Sequence, residues 1–417
     1  MTNYDQISSP QINLENAMKA TQLLHKKLSS ACPEIHKIRL SALMAGVNSA
    51  LSEHQVTVTG LGRNLKSHSK TNTKHDIKRM DRLIGNKHLH KERKDIYRYL
   101  TTQLVGNQKH PVLIADWSPI PGNEIFQLLR ISIPMGGRSL TIYEECFEEK
   151  KLNNTQVHNN FLDELEEILP EGCQPIILSD AIFKTPWFET IESKGWYWVG
   201  RVRGNVQISL DGALYEGCTT IMKQATTKAT DLGSIFYSKS TSFECQGTLF
   251  HGTEKGTHKK KKRGGVSQDT KSLYYSKKAK QPWLLVSHLP DEFNTPKKVV
   301  SLYRFRMQIE EGFRDTKNQQ YGIGLAQAKS KSAKRYNNLL LVAALTLHLL
   351  WCVGQVAVDK KYHYHLQANT IKHRTVLSNI YIAIQIVHDK RYKIKKKEIK
   401  IIFENISNFT QKVVDIC

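Results

Sequence analysis

Residues 111–116 read PVLIAD and residues 175–180 read PIILSD. Each is a short apolar run between a proline and an aspartate, the pattern of a buried strand that ends on a carboxylate. Between them stand EIFQLLRISIP, a Gly136-Gly137 turn and RSLTIYEECF, so the first run opens a meander of three strands. NNFLDELEEILP then places Phe161, Leu162, Leu165, Ile168 and Leu169 on one face of a helix. After PIILSD, Thr185 suits an N-cap and Pro186 the first helical turn, and WYWVGRVRG reads as a fifth strand.

The order β β β α β α β resembles the ribonuclease-H-like fold, an α/β architecture in which helices flank a mixed five-stranded sheet. In that fold a further acidic residue arrives on the next helix. Here residues 204–298 intervene, rich in Ser, Thr and Gly with short alternating runs such as NVQISLDGALY, GSIFYS, GTLFHG, SLYYS and PWLLVSHLP. They are expected to form an inserted antiparallel β subdomain. The expected organisation is a helical DNA-binding domain over 1–105, a catalytic core over 106–203 that resumes over 299–335, the insertion between them, and a helical C-terminal region over 336–417.

Sixty-one Lys and Arg against thirty-eight Asp and Glu leave a net charge of +23 over 417 residues, spread too widely to be a tag. Such a chain seeks a polyanion. With 40% hydrophobic residues it buries a sizeable core, which excludes disorder throughout. Seven scattered cysteines with no C-x-x-C pair fit reduced core thiols of a cytosolic protein, not a zinc site or a disulfide frame. The N-terminus carries no secretory signal. Residues 339–357, LLLVAALTLHLLWCVGQVA, are apolar enough to be weighed as a membrane span, but Thr346, His348 and Gln355 interrupt them, and a buried core helix is expected.

In the N-terminal region a Gly-marked turn with Arg63 precedes the basic helix of Lys78, Arg79 and Arg82, which suits either DNA binding or a solvated face. Residues 259–263, KKKKR, fit either a phosphate-seeking loop or a solubilising one. His88 with His90, and His363 with His365, are spaced by two and face apart on a helix. Gly322-Ile323-Gly324 lacks a third glycine and is no nucleotide fingerprint.

Asp116 and Asp180 would each stand at the carboxyl edge of the sheet, where ligand sites of open α/β sheets lie, although a single aspartate after a strand is more often a cap. Farther on, YRFRMQIEEGFRDTKN (303–318) spaces Tyr303, Arg306, Glu310 and Lys317 along one stripe of one helix, at about 100° per residue. The stripe reads either as a salt-bridged surface or as a third carboxylate set among phosphate-binding cations. Three converging carboxylates repel unless a divalent cation joins them, and all-oxygen ligation suits Mg²⁺ or Mn²⁺. Two such ions serve phosphodiester displacement, so the chemistry points to cutting and joining DNA.

The spacing Tyr303, two residues, Arg306, three, Glu310, six, Lys317 matches the Y-(2)-R-(3)-E-(6)-K signature of the insertion-sequence-four family of bacterial DDE transposases. GRNL, KHDIKRMDRLIGNKHLHKER, DWS, SDAIFK.PW, GWYW..RVRG and RMQIEE.FRD.K resemble its insertion-sequence-ten branch, from about residue 20 to residue 380. The resemblance implies that Asp116, Asp180 and Glu310 are catalytic and bind two Mg²⁺, with Mn²⁺ able to substitute. It implies cut-and-paste transposition through a hairpin. Trp283 would stack on a flipped base, Met307 would probe the vacated stack, and Tyr303, Arg306 and Lys317 would hold nearby phosphates. Arg314 extends the cationic stripe. Without the resemblance, Trp283 reads as a buried core residue.

The implied partners are double-stranded DNA, both terminal inverted repeats and target, and a second copy of the chain in the DNA-bound complex, contacted through the C-terminal helices. No membrane is involved, and the expected location is the bacterial cytoplasm, with the nucleoid. A DNA-binding repressor without catalysis and a structure-specific nuclease of the same fold are the competing readings.

Overall fold

The computed structural model describes residues 15–65, 71–252, 269, 270, 273 and 281–415. Residues 259–263 and most of SLYYS lie outside the described residues. The basic N-terminal segments form α1 (Glu15–Ala31), α2 (Lys37–Glu53), α3 (Val58–Asn64), α4 (Thr73–Ile84) and α5 (Lys87–Val105). Thr57 caps α3 through Gly60 N–H, and Asn86 caps α5 through His88 and Leu89 N–H, donors that a helix start otherwise leaves unpaired.

Next come β1 (Val112–Pro119), β2 (Phe126–Pro134), β3 (Ser139–Glu148), α6 (Thr155–Ile168), β4 (Ile176–Ser179), α7 (Thr185–Ser193) and β5 (Tyr197–Val202). Gly136 and Gly137 take φ of +66° and +100° in the β2–β3 turn, a backbone that other residues adopt only with strain. Residues 204–298 supply β6 (Gln207–Ser209), β7 (Tyr215–Gly217), α8 (Cys218–Met222), β8 (Thr230–Tyr237), β9 (Phe243–Phe250) and β10 (Trp283–His288).

Among the described residues ten strands share one mostly antiparallel sheet, in the order β3-β2-β1-β4-β5-β10-β9-β8-β6-β7. Only β1–β4 and β4–β5 pair in parallel. The described strands of the insertion therefore join the core sheet and do not build one of their own. Its last strand, β10, runs antiparallel along β5 from Trp198 to Val202 and carries the remaining inserted strands outward. The physical reason is the edge: β5 would otherwise expose a row of unpaired backbone groups.

One face of the sheet meets α6 and α7. Trp117 donates to His158 of α6, Trp187 of α7 donates to Ser179 Oγ, and Phe188 stacks on Trp198 at 4.0 Å. Gly200 faces the same way; a Cβ there would stand 2.4 Å from the Phe188 ring, so the helix approaches as closely as it does because the side chain is missing. The other face is crossed by α9 (Pro296–Arg304), which packs on β5, β9 and β10, and by α10 (Met307–Lys317), which packs on β1, β2 and β3.

The chain ends in α11 (Ala333–Asp359), α12 (Asn379–Ile386), α13 (Lys396–Glu404) and α14 (Ser407–Val414). α11 is long and apolar enough to cross a membrane, yet 94% of its most apolar window is buried inside the protein, against β3, α2, α5, α12 and α13. It serves as the core helix. Thr346 satisfies its hydroxyl on the Val342 carbonyl within the same helix.

Candidate active site

Side chains alternate along a strand, so Trp117 and Ser179 facing α6 and α7 send Asp116 and Asp180 to the α9–α10 face. The register then sets their separation. Ala115 and Ser179 are the last parallel pair of β1 and β4, and Asp116 and Asp180 each follow by one residue, side by side on neighbouring strands. Asp180 stands just beyond the end of β4, as its sequence position implies. Asp116 does not end its strand: β1 continues to Pro119, because antiparallel pairing with β2 runs on from Asp116↔Arg130 to Pro119↔Gln127 after the parallel partner has stopped.

The same register carries the row across five strands. Glu144 of β3 pairs with Arg130 of β2, Arg130 with Asp116 of β1, Asp180 stands beside Asp116, and Arg201 of β5 follows Gly200, the partner of Ser179. The charges run minus, plus, minus, minus, plus. The like-charged neighbours are Asp116 and Asp180, and Arg306 reaches both of them.

Residues 303–318 do not form one helix. α9 ends at Arg304 and α10 begins at Met307, joined by a tight turn in which Phe305, Arg306, Gln308 and Ile309 N–H bond to carbonyls three residues back, in place of four. Arg306 occupies that turn and descends between the acids. Its Nη1 lies 3.4 Å from Asp116 Oδ2 and 3.8 Å from Asp180 Oδ2, while Nη2 donates to Glu310 Oε1 at 2.6 Å and contacts Met307 Sδ at 3.2 Å. One guanidinium thus joins three carboxylates. Burial opposes its charge, but Tyr303, Asp180, Asp116 and Glu310 raise its basicity above the ordinary value.

The two aspartates differ. Burial pushes Asp116 up to about 7, helped by Asp180 and Glu310 and resisted by Arg306. Asp180 is also penalised by burial, yet Arg306, the Ala181 N–H, Arg203 and Arg201 hold it below the usual carboxylate range. Tyr303, buried, donates to Asp180 Oδ1 at 3.4 Å and meets Trp283 edge to face at 5.2 Å. Trp283 is partly buried, with Arg201 5.7 Å from its ring. Glu310 is half exposed.

Lys317 is buried. It donates to Ser118 Oγ at 2.5 Å and to the Pro119 carbonyl at 2.7 Å, and burial pulls its ammonium down to about 7. Met307 is 51% exposed, and Arg314 is exposed and pairs with Glu311 at 3.0 Å. Arg63, Lys78, Arg79 and Arg82 project into solvent from α3 and α4, and none is bonded to the three acids.

Arg130, Glu144, Arg201 and Arg203 escape the sequence reading. The signal was present: Arg130 interrupts the apolar run FQLLRISIP, and Arg201 and Arg203 stand two apart in GRVRG, on one face of a strand. Arg130 Nη2 meets Glu144 Oε2 at 2.6 Å with both side chains sealed from solvent, and Arg130 also donates to Thr316 of α10. Arg201 donates to the Gln281 carbonyl, and burial, then Arg203, draw it down to about 10.

Three carboxylates offer an all-oxygen donor set that suits a hard divalent cation, and a cationic side chain already compensates them. Among the described residues no three acids, histidines or cysteines are yet gathered closely enough to hold one ion. Of the three, Glu310 is the most exposed.

No curated protein matches the chain. The sequence model described as "Transposase DDE domain" matches residues 107–347, from just before β1 into α11, and so spans Asp116, Asp180, Glu310 and the inserted strands alike. With more than half of its length inside that match, the chain belongs to the DDE transposases.

Proposed function

We propose that the chain is a cut-and-paste DNA transposase of the insertion-sequence-four family, in its insertion-sequence-ten branch. One observation carries the reading: Asp116, Asp180 and Glu310, remote in sequence, gather around Arg306 on one face of the sheet. The strand order β3-β2-β1-β4-β5 with its flanking helices favours a ribonuclease-H-like core, with the N-terminal helices as the DNA-binding domain and the C-terminal helices as the dimer contact.

Asp116, Asp180 and Glu310 would hold two Mg²⁺ or Mn²⁺. When bound, the ions supply an activated nucleophilic oxygen and stabilise the leaving one. The chain's residues do the rest. Tyr303 orients Asp180 through its hydroxyl, and Lys317 fixes the end of β1 through Ser118 and Pro119. Tyr303, Arg306 and Lys317 also hold phosphates beside the scissile bond once DNA enters. Trp283, packed on Tyr303 at the sheet surface, stacks on a base flipped during hairpin formation, an interaction worth about 1–3 kcal/mol. Met307, exposed at the start of α10, probes the space that the base leaves. Arg314 reaches flanking backbone, and Arg63, Lys78, Arg79 and Arg82 engage the terminal inverted repeats. The protein acts as a soluble homodimer on nucleoid DNA.

The test is cleavage of a labelled duplex bearing the element's own ends with Mg²⁺, comparing wild type with Glu310→Ala. Hairpinned ends from the wild type and binding without cutting by the variant are expected. Binding without cutting by both, with Mn²⁺ restoring nothing, would leave a repressor.

A further inference from the structure

α10 carries a second polar stripe besides the one that holds Glu310. Gln308, Glu311 and Asp315 are spaced by three and four, share a face, and meet the turn between β2 and β3. Gln308 Oε1 accepts from two backbone N–H groups of that turn, those of Met135 and Gly137, each at 3.1 Å; the Met135 N–H is shared with the Arg138 carbonyl at 2.6 Å. Arg138 reaches Glu311 Oε2 at 3.1 Å and Asp315 Oδ2 at 3.0 Å. Beside these contacts Gly312 lies against Ser139, where an added Cβ would stand 2.7 Å from Ser139 Oγ and 3.3 Å from its carbonyl oxygen. The helix therefore rests directly on the start of β3.

The two ends of α10 are held differently. At the C-terminal end Thr316 accepts from Arg130, and Lys317 donates to Ser118 and Pro119. At the N-terminal end Arg306 makes no side-chain cap, and the tie is Gln308. Gln308 and Thr316 are eight residues apart, about 12 Å along the axis. Ile309 and Phe313 bury the apolar face of the helix, but such packing is non-directional and fixes depth more than rotation. Hydrogen bonds to a fixed turn set the rotation. That turn belongs to the frame that carries Asp116, since β2 pairs with β3 on one side and, through Arg130, with Asp116 of β1 on the other.

We propose that Gln308 is a positioning residue for Glu310: its two bonds to the β2–β3 turn, supported by Arg138 on Glu311 and Asp315, set the rotation of α10 and so the place of the Glu310 carboxylate relative to Asp116 and Asp180. A rotation of about 10° carries a group about 6 Å from the helix axis through about 1 Å. A displacement of that size at a reacting centre costs about 10²-fold in rate. The proposal rests on the DNA-transposase reading and deepens it, by adding a residue that acts through Glu310 and not on the reacting groups.

The experiment is single-turnover cutting of a labelled duplex bearing the element's own ends by the full chain, over a range of Mn²⁺ concentrations, with duplex binding in the absence of metal and urea unfolding measured alongside. Gln308→Leu keeps the volume and removes the acceptor, Gln308→Asn keeps an amide that falls one carbon short, and Gln308→Glu keeps the acceptor oxygen. The Leu and Asn variants should bind duplex as wild type does and cut about 10²-fold more slowly. They should also need about tenfold more Mn²⁺ for half of their maximal rate, the effect of a misplaced ligand. The Glu variant should restore both readouts. Should Gln308→Leu fail to fold, the Asn and Glu variants carry the same comparison. A residue that only supports the fold would lower the urea midpoint, duplex binding and cutting together and leave the Mn²⁺ requirement unchanged, and that pattern would overturn the proposal. Asn cutting at the wild-type rate, or Glu cutting as slowly as Asn while unfolding like wild type, would overturn it too and leave the transposase reading standing. A wild type that binds its ends and never cuts would overturn both.

Discussion

Two ion clusters lie next to each other under α10, on adjacent strands of one sheet, and they are built to opposite rules. On β2 and β3, Arg130 and Glu144 meet one to one, sealed from solvent, with Thr316 taking a further guanidinium N–H and Arg93 bonded to the Glu144 carbonyl. On β1 and β4, three acids share one arginine, Glu310 reaches solvent, and Asp116 is pushed up to about 7 because burial and its neighbours outweigh Arg306. A matched, closed pair holds structure together. An unmatched, open group stores electrostatic cost that an added cation relieves, which suits the catalytic role proposed for it.

The sharpest way to break the comparison is to remove one acid from each cluster. Glu310→Gln should lower duplex cutting by at least about 10⁴-fold, or roughly 5 kcal/mol of transition-state stabilisation. It should move the urea midpoint hardly at all, since its side chain is half exposed. A variant that still cuts within tenfold of wild type would remove Glu310 from the chemistry.

Next in size is the closed pair. Arg130→Ala leaves Glu144 buried and unpaired, and should cost about 3–5 kcal/mol in urea unfolding, with expression falling accordingly. Replacing both partners, Arg130→Met with Glu144→Leu, should recover most of that loss, because two apolar side chains need no compensation. If the double variant is as unstable as the single one, the pair does more than match charge.

How much of this was legible in the sequence follows from the distance over which each feature is decided. The meander and the two β–α steps after it are local: an apolar run, a glycine turn or a Thr-Pro helix start names each one. The meeting of Asp116 and Asp180 needed only the parallel pairing that this order implies. The rest depends on partners far along the chain. β5 and β10 are separated by some eighty residues, so nothing local says that the insertion would lengthen the sheet. Whether Asp116 ends a strand is settled by β2, which keeps pairing beyond it. Arg130 and Glu144 each look like an exposed charge until the register sets them face to face. The break at Phe305 and Arg306 changes only the hydrogen-bond span, from four residues to three, and helical spacing alone does not resolve it.

The row of charges also fixes a pH signature for the metal-free protein. Asp116, near 7 when folded and near 3.9 when unfolded, binds more proton in the native state between those values, so its term lowers stability as pH rises from about 4 to about 7. Lys317, near 7 folded and near 10.4 unfolded, binds fewer protons in the native state, so its term raises stability from about pH 7 to about pH 10. The two arms meet near neutrality, each with a slope of up to about 1.4 kcal/mol per pH unit. Asp116→Asn should flatten the acid arm and Lys317→Met the alkaline arm in chemical-denaturation series. Parallel curves for a variant and wild type would mean that the group titrates normally.

The smallest effect concerns Arg306, and it probes the open cluster most directly. Its guanidinium compensates the three acids from within the fold, so a divalent ion drawn to the same oxygens competes with a charge already in place. Arg306→Gln removes the competitor and leaves the donors. In DNA-free protein, Mn²⁺ titrated by calorimetry should bind about tenfold more tightly to the variant, a gain of roughly 1.4 kcal/mol. By linkage, a phosphate that draws Arg306 away should have the same sign of effect, so adding a duplex should tighten Mn²⁺ binding in wild type and do less in the variant. Equal Mn²⁺ affinity in both proteins would mean that the guanidinium and the ion do not contend for the same oxygens. The like-charged contact between Asp116 and Asp180 would then be balanced mainly by Arg201 and Arg203 from the β5 side.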